Sequence, residues 1–197
     1  MKNNKPLLLL IDIQNAYAIG EEWECSDIDI ATSNIRTIVN SSIADDIIAT
    51  KYMAPVNPTG VWVEYNRLYE DINNNEFLCD YIPSLKDILE NAPGSCNINH
   101  FIKEQYSALS VPEIRKACQK APYVIVCGIT TGCCVLSTIM ELIDAGIYAV
   151  VVKDATASTS PARKDAVWEV LAGLSPLHVS MIDTSDLSTF DAGYTNS

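Results

Sequence analysis

Residues 123–146, YVIVCGITTGCCVLSTIMELIDAG, hold a strand, a turn and a helix in the order that decides the fold. The stretch begins with the continuous apolar run YVIVC, which is typical of a strand buried on both faces of a sheet. Apolar residues then recur at helical spacing over residues 133–145, and Gly146 is a typical signal for the end of a helix. The run IYAVVV at 147–152 predicts another strand. A strand, a helix and a second strand in this order predict parallel strands joined by a right-handed crossover.

The same alternation of apolar runs and helical patterns extends through most of the chain. Further strands are predicted at 7–11, at 47–49 with Thr50 and Tyr52 beyond, at 98–102 and at 178–182. Helices are predicted at 27–43, 84–90, 112–120 and 161–172. This pattern predicts an α/β fold: a three-layer α/β/α, Rossmann-like domain over residues 1–197, with a mostly parallel six-stranded sheet.

One segment, residues 53–83, does not fit the alternation. It is rich in proline, asparagine and aromatic residues and is too long for an ordinary loop. We therefore expect it to contribute to function, with the substrate pocket partly formed by it or by a neighbouring subunit.

Composition and charge exclude several classes of function. The chain has 197 residues, with 25 acidic against 13 basic residues and a formal net charge of −12. Such a surface repels phosphate backbones and anionic lipids, so neither nucleic acid nor a membrane is an expected partner.

The apolar runs and the cysteines predict where the protein resides. The first apolar run, Leu7–Ile11, is too short for a signal peptide, and no stretch approaches the ~20 residues of a membrane span. The seven cysteines have no regular framework, which is typical of reduced thiols in a cytoplasmic protein. No cysteine or histidine spacing matches a structural zinc site, and no cofactor is expected.

Polar residues directly after the predicted strands are the first candidates for chemistry, because open parallel sheets bind ligands beyond the carboxyl ends of their strands. Asp12 follows the first strand, Lys103 the third, and the segment GITTGCC, residues 128–134, the fourth. An acid, an amine and a thiol are thus expected at one edge of the sheet. The thiol of Cys134 is predicted on the first turn of a helix, where the dipole and free backbone N–H groups favour a thiolate or hold an oxyanion.

These residues stand in an order that resembles the isochorismatase-like cysteine hydrolases, the superfamily of nicotinamidases, N-carbamoylsarcosine amidase and ureidoacrylate amidase. The family motif D-x-Q-N is similar to Asp12-Ile13-Gln14-Asn15, followed by the aromatic Tyr17. The K-x-x-Y-S setting is matched by Lys103, Tyr106 and Ser107. The motif G-x-x-T-x-x-C-V is matched by Gly128, Thr131, Cys134 and Val135, and Asp154-Ala155 follow the next strand.

The resemblance implies a catalytic triad of Asp12, Lys103 and Cys134. It also implies a cis peptide between Thr130 and Thr131, which helps to aim the N–H groups of Thr130 and Cys134 at an oxyanion. The activity implied is hydrolysis of a non-peptide C–N bond, in an amide or carbamoyl group of a small molecule, through a thioester. Family members are often oligomers, so a homodimer or homotetramer is expected.

One departure from the family concerns metal. Many nicotinamidases carry an aspartate and histidines after the second strand, whereas the corresponding stretch here, ATKYMAPVNPTGVW, has neither. We therefore expect no catalytic metal, and nicotinamide becomes a less favoured substrate.

Each candidate also has a simpler interpretation. Asp12 is placed to cap a helix, Lys103 alone would be a solvated amine, and Cys133 competes with Cys134 as the nucleophile. For substrate contacts we select Gln14, Tyr17 and Trp62; ordinary packing explains these aromatic residues, and Tyr65, equally well. The remaining interpretations are structural: His100 and His178 as core histidines, and Asp154 as a support for its loop.

Two other functions stay open at this point. One is hydrolysis of a vinyl ether such as isochorismate, for which the thiol is dispensable. The other is a non-catalytic binding or redox module, in which Cys133 and Cys134 sense oxidants through a sulfenate and a disulfide.

Overall fold

A sheet of six parallel strands runs through the centre of the molecule, in the order β3-β2-β1-β4-β5-β6. The computed structural model describes residues 5–191. The strands are β1 (Leu7–Ile11), β2 (Asp46–Tyr52), β3 (Asn97–Lys103), β4 (Val124–Ile129), β5 (Ala149–Ala157) and β6 (Val179–Ile182). The predicted α/β class and six-stranded sheet are confirmed. The ends of the predicted 1–197 domain, residues 1–4 and 192–197, lie outside the described residues, and the single domain stays a prediction.

Helices cover both faces of this sheet. They are α1 (Ile28–Asn40), α2 (Trp62–Leu68), α3 (Glu70–Asn73), α4 (Glu76–Cys79), α5 (Pro83–Glu90), α6 (Pro112–Lys120), α7 (Leu136–Asp144) and α8 (Pro161–Ala172). Buried residues of α1 and α5 pack on one face, and those of α6, α7 and α8 pack on the other. The three-layer architecture follows from this division.

The strand β1, with the sequence LLLLI, explains why both faces need cover. Leu8 and Leu10 join the core beneath α1, whereas Leu7, Leu9 and Ile11 join the core beneath α7. Successive side chains of a strand point to opposite faces, so an unbroken apolar run supplies both cores. Each buried leucine contributes roughly 1.5–3 kcal/mol.

Two element boundaries differ from the prediction at the segment that decides the fold. β4 continues past the apolar run through Gly128 to Ile129, and α7 begins only at Leu136. The five residues Thr131–Val135 form a π-helical turn that continues without a break into α7. The unpatterned segment 53–83 holds three short helices, α2, α3 and α4, and α2 has no buried residue.

The prediction that His100 and His178 are core histidines is wrong. Both are exposed. His100 lies on β3, an edge strand of the sheet, most of whose side chains are exposed or half-buried. His178 lies in the turn before β6, which begins only at Val179.

None of the helices within residues 5–191 has the length and apolar character required to cross a bilayer.

Candidate active site

The strand order places β1 and β4 side by side at the centre of the sheet, where the order reverses. In such sheets the crevice at the carboxyl ends of the two central strands is the usual ligand site. Asp12 directly follows β1, and the turn Thr131–Val135 follows β4 with one residue between. The chain topology therefore brings the acid and the thiol to opposite sides of one crevice.

The backbone of Asp12 is held in an unusual conformation. Its φ angle is 48°, in the left-handed region that few residues other than glycine adopt. The Asp12 N–H donates to the Thr50 carbonyl at 3.2 Å, and the Thr50 hydroxyl donates to Asp12 Oδ1 at 2.7 Å. These contacts to β2 orient the carboxylate, which caps no helix.

Lys103 lies at the end of β3 and reaches the same carboxylate. Its Nζ is 2.6 Å from Asp12 Oδ2, and both side chains are fully buried. The ammonium also donates to the Gln105 carbonyl at 2.8 Å and lies 3.5 Å from the sulfur of Cys134. Burial by itself lowers the pKa of Lys103, but attraction to Asp12 and Cys134 outweighs it, so that the pKa lies above its ordinary value.

Cys134 occupies the turn between β4 and α7. Its carbonyl accepts a hydrogen bond from the Thr138 hydroxyl at 2.7 Å, and that hydroxyl oxygen accepts from the Ala108 N–H at 3.0 Å. On the other side, the Thr131 hydroxyl donates to the Ala157 carbonyl at 3.0 Å. The turn is thus fixed to the segment after β3, to α7 and to the end of β5.

Cys134 lies in the π-helical turn Thr131–Val135, which runs directly into α7 at Leu136, so its predicted place on the first turn of a helix is confirmed. The expectation that this position favours the thiolate is not met. Burial raises the pKa of the Cys134 thiol, and the Asp12 carboxylate raises it further; Lys103 opposes these effects without cancelling them. Both effects favour the protonated thiol over the thiolate.

The cis peptide lies one residue earlier than expected. It joins Ile129 to Thr130, not Thr130 to Thr131. β4 runs to Ile129, two residues beyond the predicted end of the strand, so the bond directly follows the last strand residue. Thr130 and Thr131 are both buried at the start of the turn.

The two adjacent cysteines have different surroundings. Cys133 is exposed, whereas the Cys134 side chain is buried and is the one that contacts Lys103. The Cys134 sulfur also lies within the electrostatic influence of Asp12.

Of the predicted substrate contacts, Gln14 is hydrogen-bonded to the backbone, whereas Tyr17 is buried near the triad. Both ends of the Gln14 amide are occupied: Oε1 accepts from the Tyr52 N–H at 2.8 Å, and Nε2 donates to the Tyr52 and Cys79 carbonyls at 3.0 and 2.8 Å. Tyr17 is buried, and its pKa is raised by burial and by Cys134 and Asp12 nearby.

Trp62 belongs to a group of four rings that we call the aromatic cluster: Tyr52, Trp62, Tyr65 and Tyr106. The Trp62 ring lies 4.9 Å from Tyr106 and 5.4 Å from Tyr65, centroid to centroid. The Tyr52 ring lies 6.3 Å from Trp62 and 5.5 Å from Lys103 Nζ. The segment 53–83 thus supplies two of the four rings, Trp62 and Tyr65, and both pack on Tyr52, the ring beside Lys103.

Two residues around the site escaped the sequence analysis as functional candidates. Thr50 lies inside β2, whereas the candidates from sequence were residues that directly follow a strand. Asn66 lies on α2 and accepts a hydrogen bond from the Tyr52 hydroxyl at 3.2 Å. A contact between residues 14 positions apart leaves no local pattern.

Asp154 supports its surroundings as expected. Its Oδ1 accepts from the Thr184 N–H at 2.9 Å and from the Thr184 hydroxyl at 2.8 Å. This contact lies at β5 and ties it to the turn after β6.

The residues present do not fit the metal site of nicotinamidases. Within residues 5–191, no group of three or more histidine, cysteine, aspartate and glutamate side chains is placed to hold a metal ion.

Comparison with known proteins places this geometry in a known fold. Nicotinamidase PncA from Bacillus subtilis superposes with a TM-score of 0.71 at 19% identity, over 91% of this chain and 99% of that one. An isochorismatase-like hydrolase from Alkaliphilus metalliredigens gives 0.69 at 14% identity, over 94% and 97%. The MAR1 ribonuclease from Caenorhabditis elegans gives 0.70 at 19% identity, over 95% and 81%. At these identities the likeness concerns the fold alone.

Sequence comparison gives the family. The isochorismatase domain-containing protein 2 from Xenopus laevis is 34% identical over 70 residues, which span 34% of this chain. The match covers about a third of the length of that curated relative, 34%. The family model of the isochorismatase domain matches residues 6–186, which is most of the sequence. The chain belongs to the isochorismatase domain family.

Proposed function

We propose that the protein is a cysteine hydrolase that cleaves a non-peptide C–N bond, in an amide or carbamoyl group of a small molecule, through a thioester on Cys134. The observation that carries this proposal is the buried triad, in which Lys103 Nζ lies 2.6 Å from Asp12 Oδ2 and 3.5 Å from Cys134 Sγ. A buried ion pair beside a thiol is costly to maintain and is typical of functional sites. The fold shared with a nicotinamidase supports an amide substrate.

The first step is proton transfer from the thiol to Asp12. Because burial and the carboxylate hold the Cys134 pKa above its ordinary value, the resting thiol keeps its proton and needs a base. Asp12 accepts the proton from sulfur as the sulfur attacks the carbonyl carbon of the substrate. Lys103 remains protonated throughout and stabilises the negative charge as it moves from carboxylate to sulfur.

The second step is stabilisation of the tetrahedral intermediate. As the carbon–sulfur bond forms, the carbonyl oxygen becomes an oxyanion. We assign the backbone N–H groups of Thr130 and Cys134 as its hydrogen-bond donors, at the turn that Thr131 fixes. Loss of one such donor typically costs a factor of ~10²–10³ in rate.

Collapse of the intermediate breaks the C–N bond. Asp12 returns its proton to the leaving nitrogen, and ammonia or an amine departs. The same carboxylate then takes a proton from water, whose oxygen attacks the thioester carbon. Breakage of the carbon–sulfur bond returns the proton to sulfur and releases the acid.

Among the predicted substrate contacts, Tyr17 and Trp62 remain the candidates. Gln14 instead holds the end of β2 through both ends of its amide, so we assign it a positioning role. A small-molecule substrate, a cytoplasmic location and a homo-oligomeric state belong to the same proposal.

The test is to trap the acyl-enzyme. The protein is mixed with small primary amides and carbamoyl compounds, quenched in acid during turnover and digested, and the peptide carrying Cys133 and Cys134 is measured by mass spectrometry. We expect a hydroxylamine-sensitive acyl group on Cys134, retained in Cys133→Ser and absent in Cys134→Ser. Ammonia release by Cys134→Ser at the wild-type rate would overturn the thioester route.

The two other functions make different predictions in the same assay. Cleavage of a vinyl ether that requires Asp12 but survives Cys134→Ser would support the isochorismatase-type reaction. A mass loss of about 2 Da in the Cys133–Cys134 peptide under mild oxidant, with no hydrolysis, would support the redox module.

A further inference from the structure

One buried hydroxyl joins the segment that carries the lysine of the proposed triad to the segment that carries the thiol. Thr138 lies on α7, four residues after Cys134, and is fully buried. Its hydroxyl donates to the Cys134 carbonyl at 2.7 Å and its oxygen accepts from the Ala108 N–H at 3.0 Å. Both distances are those of ordinary hydrogen bonds, so a single side chain fixes the two segments to each other.

The Ala108 end of this bridge leads back to Lys103. Ala108 begins the short 3-10 turn Ala108–Ser110 and follows Lys103, the last residue of β3, by five positions. Between them, the Gln105 carbonyl accepts a hydrogen bond from the Lys103 ammonium at 2.8 Å. The place of the ammonium therefore depends on the stretch of backbone that Thr138 holds.

The other end of the bridge is the backbone of the nucleophile itself. The Cys134 carbonyl belongs to the residue whose sulfur lies 3.5 Å from Lys103 Nζ. A threonine that bonds only to the carbonyl four residues earlier is an ordinary feature of helices. The second bond of Thr138, to an amide 30 residues away in the chain, makes this hydroxyl a link between the two reacting groups.

Thr32 has the first of these bonds without the second. It lies buried in α1, and its hydroxyl donates to the Ile28 carbonyl at 2.7 Å, the same bond at the same length. Among residues 5–191, no other segment donates to the Thr32 hydroxyl. Since α1 and α7 pack on opposite faces of the sheet, Thr32 is a matched control away from the site.

We propose that Thr138 is a positioning residue, whose hydroxyl holds the Lys103 ammonium and the Cys134 sulfur at the separation that acyl transfer requires. This inference rests on the proposed function for the reaction that Cys134 performs. Thr138→Val removes both hydrogen bonds but keeps the branched shape, so that the core stays filled while the two segments lose their link. A displacement of about 1 Å in a reacting group can cost ~10²-fold in rate.

The experiment compares two reactions of the same sulfur. p-Nitrophenyl acetate acylates Cys134: the carbon–sulfur bond forms, p-nitrophenolate leaves, and the thiol proton passes to Asp12. Iodoacetamide requires only an accessible thiolate and no alignment with Lys103. Both adducts are measured by mass spectrometry in a Cys133→Ser background. Dividing the rate of acylation by the rate of alkylation removes differences in how accessible the sulfur is.

The variants assign the ratio to the bridge. In Thr138→Val the ratio should fall by about 10–100-fold. Thr138→Ser, which retains the hydroxyl, should keep it within about threefold of the wild type. Thr32→Val loses the matching helical bond and should leave the ratio unchanged. Urea unfolding establishes that each variant is folded under the conditions of the assay.

Amide hydrogen exchange tests the bridge without any reaction. The Ala108 N–H loses its acceptor in Thr138→Val and should exchange at least about tenfold faster than in the wild type. In Thr32→Val its exchange should not change. Unchanged exchange of Ala108 in Thr138→Val would mean that Thr138 does not hold this segment, and would overturn the inference.

The remaining outcomes separate the inference from the proposed function. An unchanged ratio in Thr138→Val, or an equal fall in Thr32→Val, would overturn the inference even where amides are hydrolysed with the help of Cys134. Acylation of Cys134 that depends on Thr138, with no ammonia released from any amide or carbamoyl compound, would keep the inference and reject hydrolysis of C–N bonds.

Discussion

Asp12 and Lys103 form an ion pair in which both side chains are fully buried. A charge in such a place is stable only while its partner and its hydrogen bonds are present. Thr50 and the Gln105 carbonyl supply two of those bonds. The pair therefore contributes to the fold as well as to the proposed chemistry, and the two contributions are separable by experiment.

Removing one member of the pair should destabilise the protein strongly. Asp12→Asn and Lys103→Met should each lower the free energy of unfolding by about 3–5 kcal/mol, because either change leaves a buried charge unpaired. The double variant should lose less than the sum of the two, since both charges are then gone. Urea unfolding of the four proteins measures the coupling. Strictly additive losses would contradict the pairing.

The exposed ion pair of Glu64 and Arg67 is the control. The same double-mutant comparison should give a coupling energy of at most about 1 kcal/mol there.

The raised pKa of Cys134 predicts slow alkylation at neutral pH. Only the thiolate reacts, and burial beside Asp12 keeps its population small. The rate of Cys134 alkylation by iodoacetamide should rise by about tenfold for each pH unit between about pH 7 and 9, with no plateau. Peptide mass spectrometry in a Cys133→Ser background follows the reaction. A plateau already reached below about pH 7 would mean that the resting cysteine is a thiolate, against the direction given by burial.

At the scale of elements, the close approach of β4 to β1 positions both halves of the site. Gly128 pairs with Ile11, the residue before Asp12. A Cβ on Gly128 would lie 2.2 Å from the Ile11 carbonyl oxygen, and its φ is 124°. Glycine is therefore required here, both because a Cβ would clash with the Ile11 backbone and because other residues rarely adopt this φ.

Gly128→Ala should consequently prevent folding or lower the free energy of unfolding by more than about 4 kcal/mol, because the two strands would have to separate. Gly94→Ala is the matched control, since a Cβ there meets nothing within 4 Å and its φ lies outside the left-handed region. Urea unfolding compares the two variants. Equal stabilities would contradict the close approach.

The sequence predicted those elements whose apolar residues are both buried and regularly spaced. β1 and β4 are continuous apolar runs because helices cover both faces of the sheet, and α8 begins and ends as its proline and glycine indicate. The helix predicted from residue 133 includes part of the π-helical turn Thr131–Val135, because the apolar pattern of α7 extends into that turn. Helix α2 was not predicted, because it buries no residue and its sequence therefore has no periodic apolar pattern.

The candidate site was predictable where a residue follows a strand directly. Asp12 and Lys103 could be found in this way because parallel strands end at one edge of the sheet. The direction of the Cys134 pKa could not be predicted from the sequence, because it depends on how completely the fold buries the thiol. The contact between Asn66 and the Tyr52 hydroxyl could not be predicted either, because it joins two residues on different elements, β2 and α2.

At the scale of the whole molecule, buried thiols couple stability to pH. Burial raises the pKa of Cys25 and of Cys118 to about 12, and it also raises the pKa of Cys127 and Cys134. Below the ordinary thiol pKa of ~8.5 both states of the chain are protonated, and each thiol contributes fully to stability. Above it the unfolded chain loses protons that the folded chain retains, so stability falls.

The free energy of unfolding should therefore decrease from about pH 8.5 to pH 10.5, by up to about 1.4 kcal/mol per pH unit for each buried thiol. Urea unfolding at half-unit intervals under reducing conditions measures the slope. Cys127→Ala, which removes one of these groups, should give a smaller slope than the wild type. A free energy that is constant across this range would contradict the burial of the thiols.

The most direct test of the central claim is ammonia release from small amides and carbamoyl compounds, measured side by side on the wild type, Cys133→Ala and Cys134→Ala. The triad predicts release that Cys133→Ala retains within about threefold and that Cys134→Ala loses by at least about 10³-fold, because no other thiol contacts Lys103 among residues 5–191. Release that continues in Cys134→Ala, or that disappears in Cys133→Ala alone, would contradict the assignment of Cys134 as the nucleophile.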